Sequence, residues 1–284
     1  MAQYSALTYY DAKLSDKDFA RLSGFIYSRY GIKMPEAKHI MLQSRLQKRL
    51  RALEIPTFAE YVDFVFSNEG SDEIVHMMDV VSTNKTDFFR ESQHFDFLTQ
   101  TVLPEIYETK HQPSIKVWSA GCSSGEEPYT LAMVISEYTS QHHGCDFSIL
   151  GSDLSTIVLG KAVSAVYPED RVDIIPLALK KKYLLRSKDR THPTVRIVPE
   201  LRAKTSFMRL NFMDESYSAP NNFDIIFCRN VLIYFDRQTQ EKVINKLCRH
   251  LRPEGYFFLG HSESVTGINV PLKQIKPTVF KLTN

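Results

Sequence analysis

The 284-residue chain has only four cysteines, and Cys122, Cys145, Cys228 and Cys248 form no C-x-x-C pair and no closely spaced framework. That spacing argues against a small disulfide scaffold or a cysteine zinc cluster and fits a reducing compartment. Net charge is nearly absent too. Lys plus Arg number 35 against 33 Asp plus Glu, leaving +2, so no global attraction to nucleic acid is indicated and a partner has to be recognised locally. No run reaches the roughly 18 apolar residues of a membrane span. Met1 to Asp11 shows neither a basic n-region nor an apolar core. These absences predict a soluble, cytoplasmic protein with no membrane insertion, no nucleic-acid partner and no metal. With 43% apolar and 24% charged residues, the chain has enough apolar side chains for one large or two ordinary domains.

The most informative stretch present runs from Ile115 to Ile135. Residues Ile115 to Ala120 are β-branched, aromatic or small, as in a buried strand. Gly121, Ser123, Ser124 and Gly125 then permit a sharp turn that a ligand can approach closely. Ser124 is expected to cap the helix that Pro128 helps to start. The next apolar run, from Phe147, ends in Asp153, 28 residues beyond Gly125, about where a nucleotide-binding fold places the acid that holds ribose hydroxyls. The unit points to a nucleoside-containing cofactor. Gly121 to Gly125 also matches the G-x-S-x-G elbow of hydrolases, with Ser123 as nucleophile and Asp224 or Asp236 and then His261 in hydrolase order. The mostly helical pattern upstream and the lack of an HGGG-like oxyanion sequence count against that reading.

From about Ser15 to Val81 the pattern is helical, with Ser15 as a cap and Phe19, Leu22, Phe25 and Ile26 at three-and-four spacing. A second helix, roughly Glu36 to Leu53, places Leu42, Leu46, Leu50 and Leu53 on one stripe. Lys38, Arg45 and Arg49 fall on an adjacent stripe, flanked by Lys48 and Arg51. Between Lys33 and Arg51 there are six basic residues and one acid, Glu36. Such a run is either a solvated face or a docking surface for an acidic partner. Glu91 to Gln112 reads as a connecting helix stopped by Pro113.

Beyond it, strand-like runs at Ile115–Ala120, Phe147–Ser152, Ser206–Leu210, Asp224–Cys228 and Tyr256–Gly260 alternate with helical segments, the pattern of an α/β fold with a mostly parallel sheet. The interval between the second and third runs is too long for a plain crossover, so a small inserted β-subdomain is expected at about 167–205. Runs at Leu272 and Thr278 predict a closing antiparallel pair. The expected organisation is a helical domain over 12–90, a linker helix over 91–112 and an α/β domain over 113–284.

Five strings occur in order along the chain: Thr83-Asn-Lys-Thr-Asp-Phe-Phe-Arg-Glu91, Trp118-Ser-Ala with Ser124-Gly-Glu-Glu-Pro-Tyr129, Ser152-Asp153, Phe227-Cys-Arg-Asn-Val-Leu-Ile-Tyr-Phe-Asp236 and Gly260-His-Ser-Glu263. On these the chain resembles the CheR family of chemotaxis receptor glutamate O-methyltransferases from about Ser15 to its end. The resemblance implies a helical N-terminal domain and a class I methyltransferase domain, Rossmann-like with a closing antiparallel strand and an inserted β-subdomain. It implies S-adenosylmethionine (SAM) as methyl donor, S-adenosylhomocysteine as product, and the cytoplasmic helices of methyl-accepting receptors as partner.

Carried over residue by residue, the resemblance puts cofactor contacts at Asn84, Thr86, Arg90, Glu127, Asp153, Asn211, Phe212, Arg229 and Asn230. Arg90 suits a carboxylate, Glu127 the methionyl ammonium, Asp153 the ribose and Asn211 the adenine edge. Each has a bland rival: Asn211 as a turn cap, Arg229 as the partner of a nearby acid. The acceptor glutamate, with an ordinary pKa of about 4.3, is already ionised at neutral pH and calls for alignment and water exclusion rather than a base. Arg90 and Tyr234 are the expected catalytic residues, and Lys38, Arg45, Lys48 and Arg49 the expected receptor-facing ones. Some family members dock a receptor pentapeptide on a glycine-containing loop. Arg186 to Pro193 has no glycine, so tethering by that route is not expected. The alternatives are a cofactor-binding signalling adaptor without turnover and, remotely, the serine hydrolase.

Overall fold

The structure, a computed structural model, describes residues 12–110 and 113–283; the N-terminal reading at Met1 to Asp11 and the end of the expected linker at Gln112 lie outside them. Among the described residues the first unit contains the α-helices α1 (Asp16–Tyr30), α2 (His39–Ala52), α3 (Phe58–Val65) and α4 (Glu73–Val81). As expected, Ser15 caps α1 by accepting the Asp18 N–H at 3.1 Å. Gly31 ends the helix in the left-handed region at φ +69°, which a Cβ would penalise. Leu22 and Ile26 of α1, Leu42, Leu46 and Leu50 of α2, Tyr61 of α3 and Met77 of α4 are all fully buried in one apolar core.

The second unit begins earlier than the sequence pattern implied. The segment expected as a linker forms α5 (Gln93–Phe97), a π-helical turn (Leu98–Val102) and α6 (Leu103–Thr109). Phe88, Leu98, Val102, Leu103 and Ile106 are buried together with Ile115, Val117, Phe227 and Phe258 of the sheet. Apolar faces of this kind are held by burial, so the stretch belongs to the α/β core and separates no domains.

The sheet strands are β1 (Ser114–Ala120), β2 (Asp146–Asp153), β6 (Thr205–Arg209), β7 (Phe223–Cys228), β8 (Leu251–Leu259), β9 (Leu272–Lys276) and β10 (Val279–Leu282), in the order β6-β2-β1-β7-β8-β10-β9. The pairings from β6 through β8 are parallel. β10 is antiparallel to β8 and to β9, the closing pair anticipated from the sequence. Helices α7 (Glu126–Ser140), α8 (Thr156–Ser164) and α11 (Arg237–Cys248) cross between strands. All six residues of β7 are buried, as parallel strands covered on both faces require.

A second sheet lies between β2 and β6 in the chain. Strands β3 (Val166–Pro168), β4 (Leu184–Arg186) and β5 (Thr194–Ile197) form a separate antiparallel sheet, with α9 (Leu177–Tyr183) before β4 and α10 (Pro199–Ala203) after β5. Tyr167, Val195 and Ile197 are nevertheless buried in the same core as β1 and β7, so this sheet is fastened to the main one. Among the described residues no helix is long and apolar enough to cross a membrane.

The basic stripe of α2 is mostly engaged inside the protein. The Arg49 Nε and Nη2 donate to Glu73 at 2.8 and 2.7 Å, and the Tyr61 hydroxyl donates to the same carboxylate at 2.9 Å. The Glu73 side chain is only 3% exposed, so it depends on these donors. Arg45 donates to the carbonyls of Val81 and Ser82 and to Thr83 Oγ1, closing the end of α4. Arg45 and Arg49, expected to face a receptor, are thus engaged within their own domain. Lys48 is exposed and Lys38 lies at the cavity described below. Arg49→Ala would strand a buried carboxylate, and breaking such a pair costs about 3 kcal/mol. Chemical denaturation of the full chain should register that loss, whereas Lys48→Ala should leave the midpoint unchanged.

Candidate active site

The chain leaves β1 for β2 on one side and reaches β7 on the other, so the sheet order reverses beside β1. Open parallel sheets bind ligands at the carboxyl ends of their strands at such a point. An open cavity lies there. Its floor comes from the turn after β1 (Gly121, Ser123), the end of β2 (Asp153, Leu154), the segment after β6 (Asn211, Phe212) and the segment after β7 (Arg229, Asn230, Val231, Tyr234). The helical domain supplies the opposite wall through Tyr30, Ile32, Met34, Lys38 and Met41. The strap from Ser82 to Arg90 closes one side.

The turn after β1 is built on backbone hydrogen bonds. Asp153 Oδ2 accepts the Ser123 N–H at 2.8 Å and Oδ1 accepts the Ser155 N–H at 3.0 Å. Burial lifts the Asp153 pKa above the ordinary carboxylate range, with these N–H groups offsetting part of the rise. Gly121 sits at φ +88°, and a Cβ there would come within 2.2 Å of Val231 Cγ2, so this position has room for glycine alone. The helix cap differs from expectation. Gly125, at φ +95°, occupies the N-cap of α7, while Ser124 Oγ donates to Glu126 at 2.7 Å. The left-handed backbone leaves Ser124 outside the first turn.

Arg229 organises the other side. Its guanidinium lies 3.0 Å from Glu91 Oε2 and 3.0 Å from Glu127 Oε2, with the side chain 1% exposed. It also donates to the Arg90 carbonyl. Burial pushes both carboxyls up. For Glu127 that effect prevails over Arg229 and the Ser119 hydroxyl at 2.7 Å, so its pKa is raised. For Glu91 the attraction of Arg229, aided by His261, prevails and the pKa falls. One guanidinium thus serves Glu91 more than Glu127.

Glu263, from the Gly260-His-Ser-Glu string, has a function that no sequence argument assigned. Oε2 accepts the N–H of Asn230 at 2.8 Å and of Gly260 at 2.7 Å. Oε1 accepts those of Val231 at 2.8 Å and Leu232 at 2.7 Å. Four backbone donors on one buried carboxylate hold the turn that presents Arg229 to Tyr234, including Asn230 at the left-handed φ of +59°. The available signal was an acid three residues after a glycine at a strand end, matching nothing local.

Asn84, Thr86, Arg90, Glu127, Asp153, Asn211, Phe212, Arg229, Asn230, Tyr234 and Lys38 all line this cavity. Arg45, Lys48 and Arg49 do not. Two members are largely committed elsewhere. The Asn211 amide donates to the Arg29 carbonyl at 2.9 Å and its oxygen accepts the Met213 N–H at 3.1 Å, the turn-cap alternative. Arg229 is the ion-pair alternative. Arg90 donates one bond to the Lys85 carbonyl at 3.0 Å, leaving donors for a ligand. An acid for ribose hydroxyls, a cation and an anion for the two ends of an amino acid, and apolar Leu154 and Phe212 together fit an aminoacyl nucleoside.

The hydrolase elbow is absent. The Ser123 hydroxyl donates to the Asn84 carbonyl at 2.8 Å, and His261 pairs with Glu91. Asp236 caps α11, and Asp224 is held by Lys110 and Arg252. A nucleophile needs its base within hydrogen-bond reach, and neither acid nor histidine attends Ser123.

Glu263→Gln keeps the side chain's size but turns two acceptor sites into a donor facing backbone N–H groups. Losing two charge-assisted bonds at about 1.5 kcal/mol each predicts about 3 kcal/mol less stability, read by denaturant titration, together with at least tenfold weaker SAM binding by calorimetry. An unchanged SAM affinity would mean that the turn tolerates the loss.

Family comparison divides the chain as the structure does. Residues 17–82 match the model described as CheR methyltransferase, all-alpha domain, and residues 84–281 match CheR methyltransferase, SAM binding domain. The boundary falls at the start of the strap, as in the packing, rather than at residue 90. The chain is 40% identical over 273 residues to a chemotaxis protein methyltransferase of Borreliella burgdorferi, covering 94% of this chain and 95% of that one. It is 35% identical over 264 residues to chemotaxis protein methyltransferase 2 of Pseudomonas aeruginosa, covering 93% and 92%. It is 34% identical over 270 residues to the chemotaxis protein methyltransferase of Escherichia coli, covering 95% and 92%. With both of its domains matched by CheR family models and its relatives matched almost end to end, the chain belongs to the CheR family of SAM-dependent methyltransferases.

Proposed function

We propose that the protein methylates glutamate side chains of chemotaxis receptors, forming glutamyl methyl esters in the cytoplasm. The observation that carries this reading is the mixed-charge cavity at the switch point of the sheet, with Lys38, Lys85 and Arg90 on its lining. Bound there, SAM supplies an electrophilic methyl group. The residues that would hold it are Asn84, Thr86, Arg90, Glu127, Asp153, Phe212 and Asn230, while Asn211 and Arg229 would act mainly by fixing the walls.

An acceptor carboxylate is strongly hydrated, so it has to shed water and meet a cation before it reacts. Arg90, with a planar fork of donors, would orient either the acceptor or the methionyl carboxylate. Tyr234 is half-buried, and Lys38 Nζ lies 5.9 Å from its ring centre. Burial raises its pKa, so Tyr234 enters as a neutral wall and hydrogen-bond donor rather than as a phenolate. No side chain is required to remove a proton.

Receptor recognition on this reading involves the cavity rim rather than the Arg45 and Arg49 stripe. The β4–β5 loop contains no glycine, and its Asp189 accepts from Thr191 N–H and Oγ1 at 2.8 and 2.6 Å. We infer direct recognition of receptor helices without tail tethering.

Tritiated methyl transfer from SAM to membranes bearing a candidate receptor tests the assignment. Alkali-labile label on the receptor is the expected outcome, and alkali-stable label would overturn the ester. Arg90→Lys keeps charge but loses the fork, so kcat/KM should fall at least tenfold. Asp153→Asn should weaken SAM binding by about 1.5–3 kcal/mol. Alanine at 153 is the poorer test, because it would also release the Ser123 and Ser155 N–H groups.

A further inference from the structure

Behind the Arg229 ion pairs, outside the cavity lining, lie Glu91, His94 and His261. Glu91 Oε2 is 3.5 Å from His94 Nδ1 and 3.8 Å from His261 Nε2, and the three ligand atoms all lie within 4.8 Å of one another. His94 is 3% exposed, yet its Nδ1 has no hydrogen-bond partner, while Glu91 Oε2 is the oxygen that the Arg229 guanidinium meets at 3.0 Å.

Thr278 Oγ1 donates its proton to the Pro277 carbonyl at 2.6 Å. In the arrangement proposed below the hydroxyl accepts at its 2.8 Å contact with His94 Nε2, with the ring proton placed on Nε2. Nδ1 then presents a bare lone pair to a carboxylate oxygen, an arrangement that favours a cation between them. A ring nitrogen freed for a ligand while the other donates outward is the usual support of a metal-bound histidine.

We propose that Glu91, His94 and His261 form a binding site for a divalent transition-metal ion of the zinc type. Two imidazoles and one carboxylate with a position left for water suit such an ion. Ligands 2.0–2.1 Å from a tetrahedral ion stand about 3.3 Å apart, so the Glu91 distances need only small closure. His261, whose side chain is 52% exposed, supplies both the remaining movement and the entry path. Arg229 beside Glu91 opposes a cation. Glu91 and Glu127 against that one guanidinium leave one negative charge, which offsets the opposition.

Because Glu91 also holds Arg229, occupancy would draw it from the wall of the cofactor cavity, coupling the ion to SAM binding. The site links residues 91, 94 and 261, with no short motif to disclose it.

The test uses the chelator-stripped full chain. Zn²⁺ titrated calorimetrically against a competing chelator should bind at one dominant site. His261→Ala should weaken that binding at least tenfold without shifting the metal-free Tm, since its side chain is half-exposed. His192→Ala, on an exposed loop with an 89% exposed side chain, should bind as wild type. Co²⁺ loading should give the intense visible absorption of a tetrahedral site, and His261→Ala should lose it. Equal Zn²⁺ affinity for wild type and His261→Ala, or no dominant site, would overturn the proposal.

Discussion

The active-site region depends on a single buried cation shared by two acids. Arg229, 1% exposed, spans Glu91 at the end of the strap and Glu127 in the first turn of α7, and it reaches the carbonyl of Arg90. Its ring neighbours Phe95 and Phe227 stand 5.6 and 5.9 Å from the guanidinium carbon, so water is excluded and the ion pairs act at low dielectric. A lone arginine there would be prohibitive. Two carboxylates make it tolerable and lock the three elements in one geometry.

The strap is fixed at its other points by partners from every part of the fold. Arg45 of the helical domain holds its start, and Ser123 of the β1 turn holds the Asn84 carbonyl. Arg171 of the inserted subdomain meets Asp87 at 3.1 Å and the Thr86 carbonyl. Thr130 of α7 accepts the Phe89 N–H at 3.2 Å. Phe89 and Glu91, flanking Arg90, both adopt left-handed backbone, at φ +52° and +57°. Such conformations persist only where surroundings over-determine them, and they gather at functional sites. The inserted subdomain therefore helps to shape the cofactor cavity whatever else it does.

The two domains meet through backbone as much as through side chains. Lys33 N–H donates to the Tyr234 carbonyl at 3.0 Å, the Asn211 amide to the Arg29 carbonyl, and Thr156 Oγ1 to Asp79 at 2.7 Å. Each joins a segment of the helical domain to one beside the cavity, so closure of the site is part of folding the whole chain.

The sequence by itself determined the elements and their order. Period and capping residues pointed to the helical unit, the sheet and the insertion, because those signals are local, while the cavity-lining residues named in advance came from the family resemblance that the strings around Gly121, Asp153, Asn230 and Arg90 carry. What only the tertiary structure decided is which charged groups are free to act. Arg45, Arg49, Asn211 and Arg229 carry the right chemistry for binding, but folding brings each against a partner distant in the chain. Glu263 looked unremarkable until four N–H groups converged on it. The linker over 91–112 read as a connector because an amphipathic helix shows which face is apolar, not what that face will cover. Hydrogen-bond and ion-pair assignments depend on which groups lose water together, and that is a property of the packed chain.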